Sequence, residues 1–95
     1  MVARRIDLAP DADVRAVVAA NPGTDLVLVL MPGRDSVAQA MAEAAIGPLA
    51  VAIAPDARIN AVMPSPDASP DAIAAAVAYL AAAHAVTGQL LAIGT

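Results

Sequence analysis

Residues 24–31 read TDLVLVLM, and six consecutive side chains in this stretch are apolar. A strand with one solvent-exposed face alternates apolar and polar residues, and this stretch shows no such alternation. A short, unbroken run of valine and leucine is typical of a strand that is buried on both faces, as parallel sheets require. The run therefore predicts a central strand of a parallel sheet with helices on both sides.

The stretch before this strand predicts one more strand and one helix. RRIDL, residues 4–8, fits a short strand that ends before Pro10. PDADVRAVVAA, residues 10–20, fits a helix in which Asp11 or Asp13 accepts bonds from the first-turn amides. Its apolar stripe holds Val14, Val17 and Val18. Asn21-Pro22-Gly23 ends the helix.

Two further helices and two further strands follow. SVAQAMAEAA, from Ser36, predicts a helix with Val37, Met41 and either Ala44 or Ala45 on its apolar face. ARINAVM, residues 57–63, predicts the third strand. After the loop PSPDASP, Ser69 is a good N-cap for the helix PDAIAAAVAYLAAAH. The apolar stripe of that helix holds Ile73, Ala76, Val77 and Leu80, and QLLAIG, residues 89–94, predicts the fourth strand.

Strands that alternate with helices along the chain indicate a parallel sheet with crossover helices. A chain of 95 residues suits one domain, residues 1–95. The fold class expected is therefore α/β, with a parallel sheet of about four strands and three helices. The strand at residues 4–8 would leave an exposed sheet edge that could pair with another chain.

Composition narrows the function classes. Hydrophobic residues make up 60% of the chain and the mean hydropathy is +0.72, which favours a surface covered by a partner. The net charge is −4 and the five basic residues are dispersed arginines, which argues against nucleic-acid binding. The sequence has no cysteine and no apolar leader at its start, and we expect a cytoplasmic location.

Residues 72–94 carry no formal charge and are long enough to cross a membrane. Thr87-Gly88-Gln89 interrupts this stretch, alanine dominates it, and acidic rather than basic residues precede it. These features argue against a membrane span.

ARINAVMPSPDASP, residues 57–70, resembles the segment I-R-V-N-A-V-x-P-G-x-x-x-T-P of short-chain dehydrogenases/reductases. Ser65 stands where that family has glycine, and Ser69 stands where it has threonine. The following stretch, to residue 94, resembles the family's P-E-E-V-A-A-A-V-x-F-L-A-S and V-T-G-Q-x-L-x-V-D-G-G. The residues that match across both blocks are Arg58, Asn60, Ala61, Val62, Pro64, Pro70, Ala74, Ala75, Ala76, Val77, Leu80, Ala81, Val86, Thr87, Gly88, Gln89 and Leu91.

The resemblance covers residues 52–94 well and the earlier residues less well. It implies a truncated Rossmann-like fold, equivalent to the second half of a dehydrogenase. AIAP, residues 52–55, is similar to the E-L-A-P that ends the family's long helix. Gly47-Pro48 could end a helix or kink it, and this similarity favours a kinked helix that continues through Pro48.

The sequence departs from the family's catalytic pattern. It has no glycine-rich cofactor turn and no lysine, so the Tyr-x-x-x-Lys pair is missing. Tyr79, its one tyrosine, is followed by Leu-Ala-Ala-Ala. Tyr79 falls where the family has a buried aromatic residue that packs the last helix on the sheet. Ser36 is the only candidate for the substrate-orienting serine, and helix capping suits it better.

The remaining polar candidates have simpler interpretations. In the family, the residues at the positions of Ser65 and Ser69 contact the nicotinamide. Here Ser65 has a simpler interpretation as an ordinary loop residue, and Ser69 as the N-cap of the following helix. His84 lacks a second histidine or a cysteine that would make a metal site. The aspartates lie in loops and first turns, where aspartate bonds the backbone. A phospho-acceptor receiver domain would need an acidic pair and a lysine that are not present.

The family's subunit interfaces give the leading hypothesis. In the family, the last helix and last strand form one interface, and two long helices form another. We expect interface residues Ala74, Val77, Ala78, Leu91 and Ile93. The expected function is that of a non-catalytic pseudoenzyme subunit, which forms a homo-oligomer, binds a catalytic enzyme subunit, or does both. We expect it to bind neither a membrane nor nucleic acid, and to hold no cofactor of its own.

Two alternatives stay open. In one, the chain contributes Ser65 and Ser69 to a reductase site shared between subunits, with NAD or NADP bound mainly by a partner. In the other, it binds a small ligand at the carboxyl ends of its strands.

Overall fold

A computed structural model describes residues 3–94, which form one sheet with helices on both faces. The element order confirms the alternation predicted from the sequence. The elements are β1 (Arg4–Leu8), α1 (Val14–Ala19), β2 (Leu26–Leu30), α2 (Ser36–Ile53), β3 (Ile59–Pro64), α3 (Pro70–Ala82) and β4 (Leu90–Ile93).

The four strands are parallel and lie in the order β1-β2-β3-β4, so β1 and β4 are the edges. All five residues of β2 are buried, which confirms that TDLVLVLM contains a strand covered on both faces. The third strand runs from Ile59 to Pro64, slightly later than predicted. The α/β, Rossmann-like arrangement of four strands and three helices is confirmed.

Successive side chains of the central strands point to opposite faces of the sheet and belong to two separate hydrophobic cores. On one face, α1 and α2 cover a cluster that includes Leu28, Ile46 and Ile59, each with none of its surface exposed. On the other face, α3 contributes Ile73 and Leu80 to a second cluster. A helix pair thus covers one side of the sheet, and a single helix covers the other.

Short polar side chains begin all three helices. The Asp13 carboxylate accepts bonds from the amides of Arg15 and Ala16, which selects Asp13 over Asp11 as the N-cap of α1. Asp35, rather than Ser36, caps α2 by accepting a bond from Ala38 N at 2.8 Å. The predicted capping role of Ser36 is therefore wrong, because the adjacent aspartate takes it.

The long helix α2 continues through Pro48, which confirms the kinked-helix interpretation over a break at Gly47-Pro48. Its predicted apolar face is wrong, however. Ala42, Ile46 and Ala50 face the core, whereas Val37 is 68% exposed and Met41 is 69% exposed. Both faces of this helix are apolar, so the spacing of apolar residues did not distinguish them.

The prediction that Tyr79 packs α3 on the sheet is also wrong, because this side chain is 64% exposed. The stripe predicted for α3 is confirmed, with Ile73 and Leu80 buried and Ala76 and Val77 packed against the same cluster. At 100° per residue, Tyr79 lies to one side of that stripe, beside the β4 edge of the sheet.

Candidate functional site

Open parallel α/β sheets bind ligands at the carboxyl ends of their strands, and Ser65 and Ser69 lie there, after β3. The Ser65 hydroxyl donates to Asp67 Oδ1 at 2.7 Å. The Ser69 hydroxyl accepts a bond from Ala72 N at 3.1 Å and caps α3. Both hydroxyls are therefore engaged in local structure.

The space beside Ser65 is occupied by the end of the chain's last strand. Ser65 N donates to Ile93 O at 2.7 Å. A Cβ atom placed on Gly94 would lie 2.5 Å from Ser65 Oγ, so only glycine fits there without a shift. Gly94 therefore lies directly against Ser65, at the position that the resemblance associates with the cofactor.

Arg34 lies at the same end of the sheet, beside the carboxyl ends of β1 and β2. Its guanidinium donates to Met31 O at 3.0 Å and to Ala9 O at 2.9 Å. It thereby joins the loop after β1 to the loop after β2. The guanidinium of Arg34 therefore stabilises the backbone of these two loops.

The polar residues that match the family, Arg58, Asn60, Thr87 and Gln89, lie near the opposite end of the sheet, where β3 and β4 begin. Arg58 precedes β3, and its guanidinium donates to Ala83 O at 2.6 Å and to Ala81 O at 3.3 Å. These carbonyls belong to the C-terminal end of α3, which lacks intrahelical partners and attracts a cation. Asp25 completes the arrangement by accepting bonds from Arg58 N and Arg58 Nε.

Asn60 and Thr87 bond β3 to the connection between α3 and β4. Asn60, 1% exposed, donates from Nδ2 to Val86 O at 3.1 Å and accepts at Oδ1 from Gln89 N at 3.0 Å. Ile59 N donates to the Thr87 hydroxyl at 3.1 Å. The matched Arg, Asn, Thr and Gln positions thus form one bonded network, which shapes the fold and lies away from the ligand-binding edge.

Gly88 in the same connection has φ +77°, a conformation that favours glycine. Its amide donates to Ile59 O at 2.8 Å, which starts the pairing of β4 with β3. The Val-Thr-Gly-Gln sequence is therefore explained by the turn that it builds.

Within residues 3–94, the other polar candidates form no constellation. His84 is exposed and follows α3, whose terminal carbonyls are bound by Arg58. The described residues include no group of three or more His, Cys, Asp or Glu that could hold a metal ion. Every buried side-chain polar atom in this part of the chain has a hydrogen-bond partner, so none points into an empty site.

The five residues expected at an interface divide into two groups. Val77, Leu91 and Ile93 are partly buried against the core beneath α3. Ala74 and Ala78 are exposed on the outer side of α3. Near them, Tyr79 and Leu90, which is 38% exposed, line a shallow depression of about 200 Å³.

A second apolar surface, which holds none of the five residues expected at an interface, lies on the outside of α2. Val37, Met41 and Val51, which is 78% exposed, project from it, and only 17% of the helix is buried. Between them, the exposed positions are alanine, glycine or proline: Ala40, Ala44, Gly47 and Pro48. Glu43 is the one charged residue among the 18 of this helix, and it bonds Gln39 at 2.9 Å along the flank.

We call this surface the outer face of α2, defined by Val37, Met41, Ala44, Pro48 and Val51. A helix that is apolar all round is normally buried all round. By length and composition α2 could cross a membrane, and core helices of soluble proteins meet the same criterion, so that property alone assigns no location. The signal available in the sequence was the apolarity of both faces.

A groove of about 720 Å³ borders the outer face of α2, on the side of α1. Helix α1 has six residues and α2 has 18, so α1 covers only part of the longer helix. Leu49, Ala52 and Ile53 line the groove from α2, with Asp13 and Asp56 among the other lining residues. The groove extends the apolar surface toward α1.

The exposed edge at β1 is less suited to pairing than its position suggests. Arg4, Arg5 and Asp7 are exposed, and charged residues on edge strands discourage pairing with other chains. Arg5 and Asp7 form an ion pair at 2.7 Å, and this hydrogen bond raises the pKa of Arg5. Helix α2 is therefore the better candidate for a contact surface.

Residues 6–93 match the family described as short chain dehydrogenase-like protein, SDR-like. The match includes all three helices and nearly all of the sheet. No curated protein matches the chain.

Proposed function

Because the chain belongs to the short-chain dehydrogenase-like family, we propose that it is a non-catalytic assembly or accessory subunit built on that family's fold. It joins a second copy of itself, a catalytic enzyme subunit, or both. It holds no cofactor of its own. The observation that carries the proposal is the outer face of α2, where Val37, Met41 and Val51 are each more than two-thirds exposed.

Burying such side chains is favourable by about 25 cal/mol for each Å² of apolar surface removed from water. The core of the chain already takes Ala42, Ile46 and Ala50 from the opposite side of the helix. The outer face therefore has a driving force for association that the fold itself leaves unused.

Two further features support a non-catalytic role. The sequence contains no lysine, and its one tyrosine is not in a Tyr-x-x-x-Lys pair. The hydroxyls of Ser65 and Ser69 are bonded within the loop and the helix cap. Ser65 and Ser69, at the carboxyl ends of the strands, thus stabilise the loop and the start of α3.

The test is the native mass of the protein purified gently from its own host. The proposal predicts a species of at least twice 9.4 kDa or a heavier complex with a second, different chain. In either case, titration with NAD or NADP should give no binding to the 95-residue chain alone. A stable monomer without any associated chain contradicts the proposal.

A further inference from the structure

Pro48 leaves a backbone acceptor on the outer face of α2. Proline has no N–H, so the bond that residue 48 of an α-helix would donate to Ala44 O is missing. Ala44 and Pro48 are both exposed. In residues 3–94, neither a side chain nor an amide outside the helix donates to Ala44 O. This carbonyl therefore lacks its helical donor in the middle of an apolar surface.

A partner that covers this surface must also satisfy the carbonyl. Met41 lies before Ala44 and Val51 lies after Pro48, and their side chains are 69% and 78% exposed. A contact that buries both of these side chains also excludes water from the backbone between them. Because buried main-chain carbonyls are almost always hydrogen-bonded, the partner has to bring a donor together with its apolar groups.

A second copy of this chain does not supply that donor through the same face. The side chains of the outer face of α2 are valine, methionine, alanine and proline, and none of them carries a donor. Ser36, at the start of the helix, does carry one. An antiparallel copy that brought its Ser36 to Ala44 would leave Pro48 and Val51 beyond the start of its own α2. A symmetric contact therefore leaves the carbonyl unpaired or part of the face uncovered.

The charge of the chain indicates which kind of donor fits. The net charge is −4, and Glu43, next to Ala44, is the one charged residue of α2. A cationic donor is attracted by this charge, and hydrogen bonds from charged donors are the stronger kind. The chain already contains this interaction, since the guanidinium groups of Arg34 and Arg58 both donate to main-chain carbonyls.

We infer that the outer face of α2 binds a different protein chain, whose contact surface is apolar and carries one arginine or lysine that donates to Ala44 O. The inference rests on the proposed function and selects, among the partners which that function allows, a chain other than a second copy. The aliphatic stem of the cationic side chain packs on the apolar residues around the carbonyl. Pro48 is then a specificity-determining residue, because it keeps the acceptor available.

Two synthetic amphipathic helices serve as probes of this chemistry. They are identical except in the middle of the apolar face, where one carries arginine and the other carries norleucine. The wild-type chain should bind the arginine peptide about tenfold more tightly, because only arginine satisfies the carbonyl. Fluorescence anisotropy of the labelled peptides measures both affinities. Equal affinities, tighter binding of the norleucine peptide, or no binding of the arginine peptide would overturn the inference.

Pro48→Ala tests the carbonyl itself, because alanine restores the N–H and the helical bond to Ala44 O. This variant should bind both peptides equally. Gly47→Ala is the matched control, since Gly47 is exposed, a Cβ atom there meets nothing within 4 Å, and Pro48 stays in place. Both substitutions favour helix, so neither should unfold the chain. Gly47→Ala should keep the preference for arginine. A preference that survives Pro48→Ala would mean that net charge attracts the arginine, and the inference would fall.

The native mass of the protein from its host separates this inference from the proposed function. A complex with a different chain that Pro48→Ala weakens about tenfold and Gly47→Ala leaves intact supports both. A homodimer that Ala44→Glu dissociates would overturn this inference while the assembly role stands. A wild-type protein that remains monomeric and alone would overturn both.

Discussion

The carboxylate of Asp25 accepts two hydrogen bonds from Arg58, one from the backbone N at 2.9 Å and one from Nε at 3.2 Å. Both side chains are mostly buried, with 14% and 19% of their surface exposed for Arg58 and Asp25. The free side of the guanidinium then bonds the last carbonyls of α3. One ion pair thus joins the start of β2, the start of β3 and the end of α3.

Arg58→Ala should lower the free energy of unfolding by about 3 kcal/mol, because the mostly buried Asp25 carboxylate would lose its cationic partner and keep only the bond from the backbone N of residue 58. The carbonyls at the end of α3 would also lose the guanidinium. The matched control is Arg5→Ala, which removes an exposed ion pair with Asp7. That change should cost less than about 1 kcal/mol. Urea unfolding at equal protein concentration measures both, and equal losses would refute the structural role of Arg58.

Asn60→Ala should cost about 2 kcal/mol, because Gln89 N would lose the bond to Asn60 Oδ1 and Val86 O would keep only the longer bond from Arg58 at 3.4 Å. Thermal unfolding would show the loss as a lower midpoint. Asn21→Ala is the control. The Asn21 side chain is only partly buried and bonds Val17 O and Arg4, so this change should lower the midpoint less. If Asn60→Ala left the midpoint unchanged, the network around β4 would not stabilise the fold.

Ser69→Ala should cost about 1 kcal/mol through the lost helix cap, and Ser69→Asp should keep most of the stability, since aspartate also caps helices. The same variants decide between the cap and the shared-cofactor alternative. We expect neither to change NAD or NADP affinity in any complex that contains this chain. A loss of cofactor affinity that follows Ser69→Ala would favour the shared reductase site.

The two faces of α2 should respond differently to truncation. Ile46→Ala removes a side chain with none of its surface exposed and should cost about 2–5 kcal/mol. Met41→Ala, at 69% exposure, should leave the stability of a single copy nearly unchanged and weaken only association. Unfolding at a concentration low enough to separate the copies measures the first effect. A large cost for Met41→Ala under those conditions would place Met41 in the core.

The succession of strands and helices along the chain and the parallel direction of the strands could be predicted from the sequence, because β2 is uniformly apolar and the strands alternate with helices. The continuation of α2 through Pro48 could also be predicted, although from the family resemblance and not from helix propensity. The start of α1 lies at Val14, four residues after Pro10, and most other bounds shifted by one or two residues where adjacent residues had similar preferences. Asp35 and Ser36 illustrate this, since both side chains cap helices well and only one can occupy the position.

The buried side of α2 could not be predicted, for a physical reason. Periodicity identifies a core face only when the opposite face is polar. In α2 the stripe of Val37 and Met41 is as apolar as the stripe of Ala42 and Ile46, and the choice between them depends on packing against the sheet. Tyr79 was misplaced because the aromatic position was taken from the family rather than from the stripe of α3.

The candidate site was the least predictable part of the molecule. The resemblance drew attention to Arg58, Asn60, Thr87 and Gln89, but their partners are mainly backbone groups more than 20 residues away in sequence. No pattern in the sequence assigns a side chain to a distant carbonyl. Only the assembled sheet shows that these residues stabilise the turn before β4.

The central claim is that this chain works by association, and a dilution series followed by sedimentation velocity tests it most directly. Wild-type protein should sediment at micromolar concentration as a species of twice 9.4 kDa, or as a complex with a second chain when taken from its host. It should dissociate only on strong dilution. A 9.4 kDa monomer at every concentration, with no associated chain in the host extract, would contradict the account.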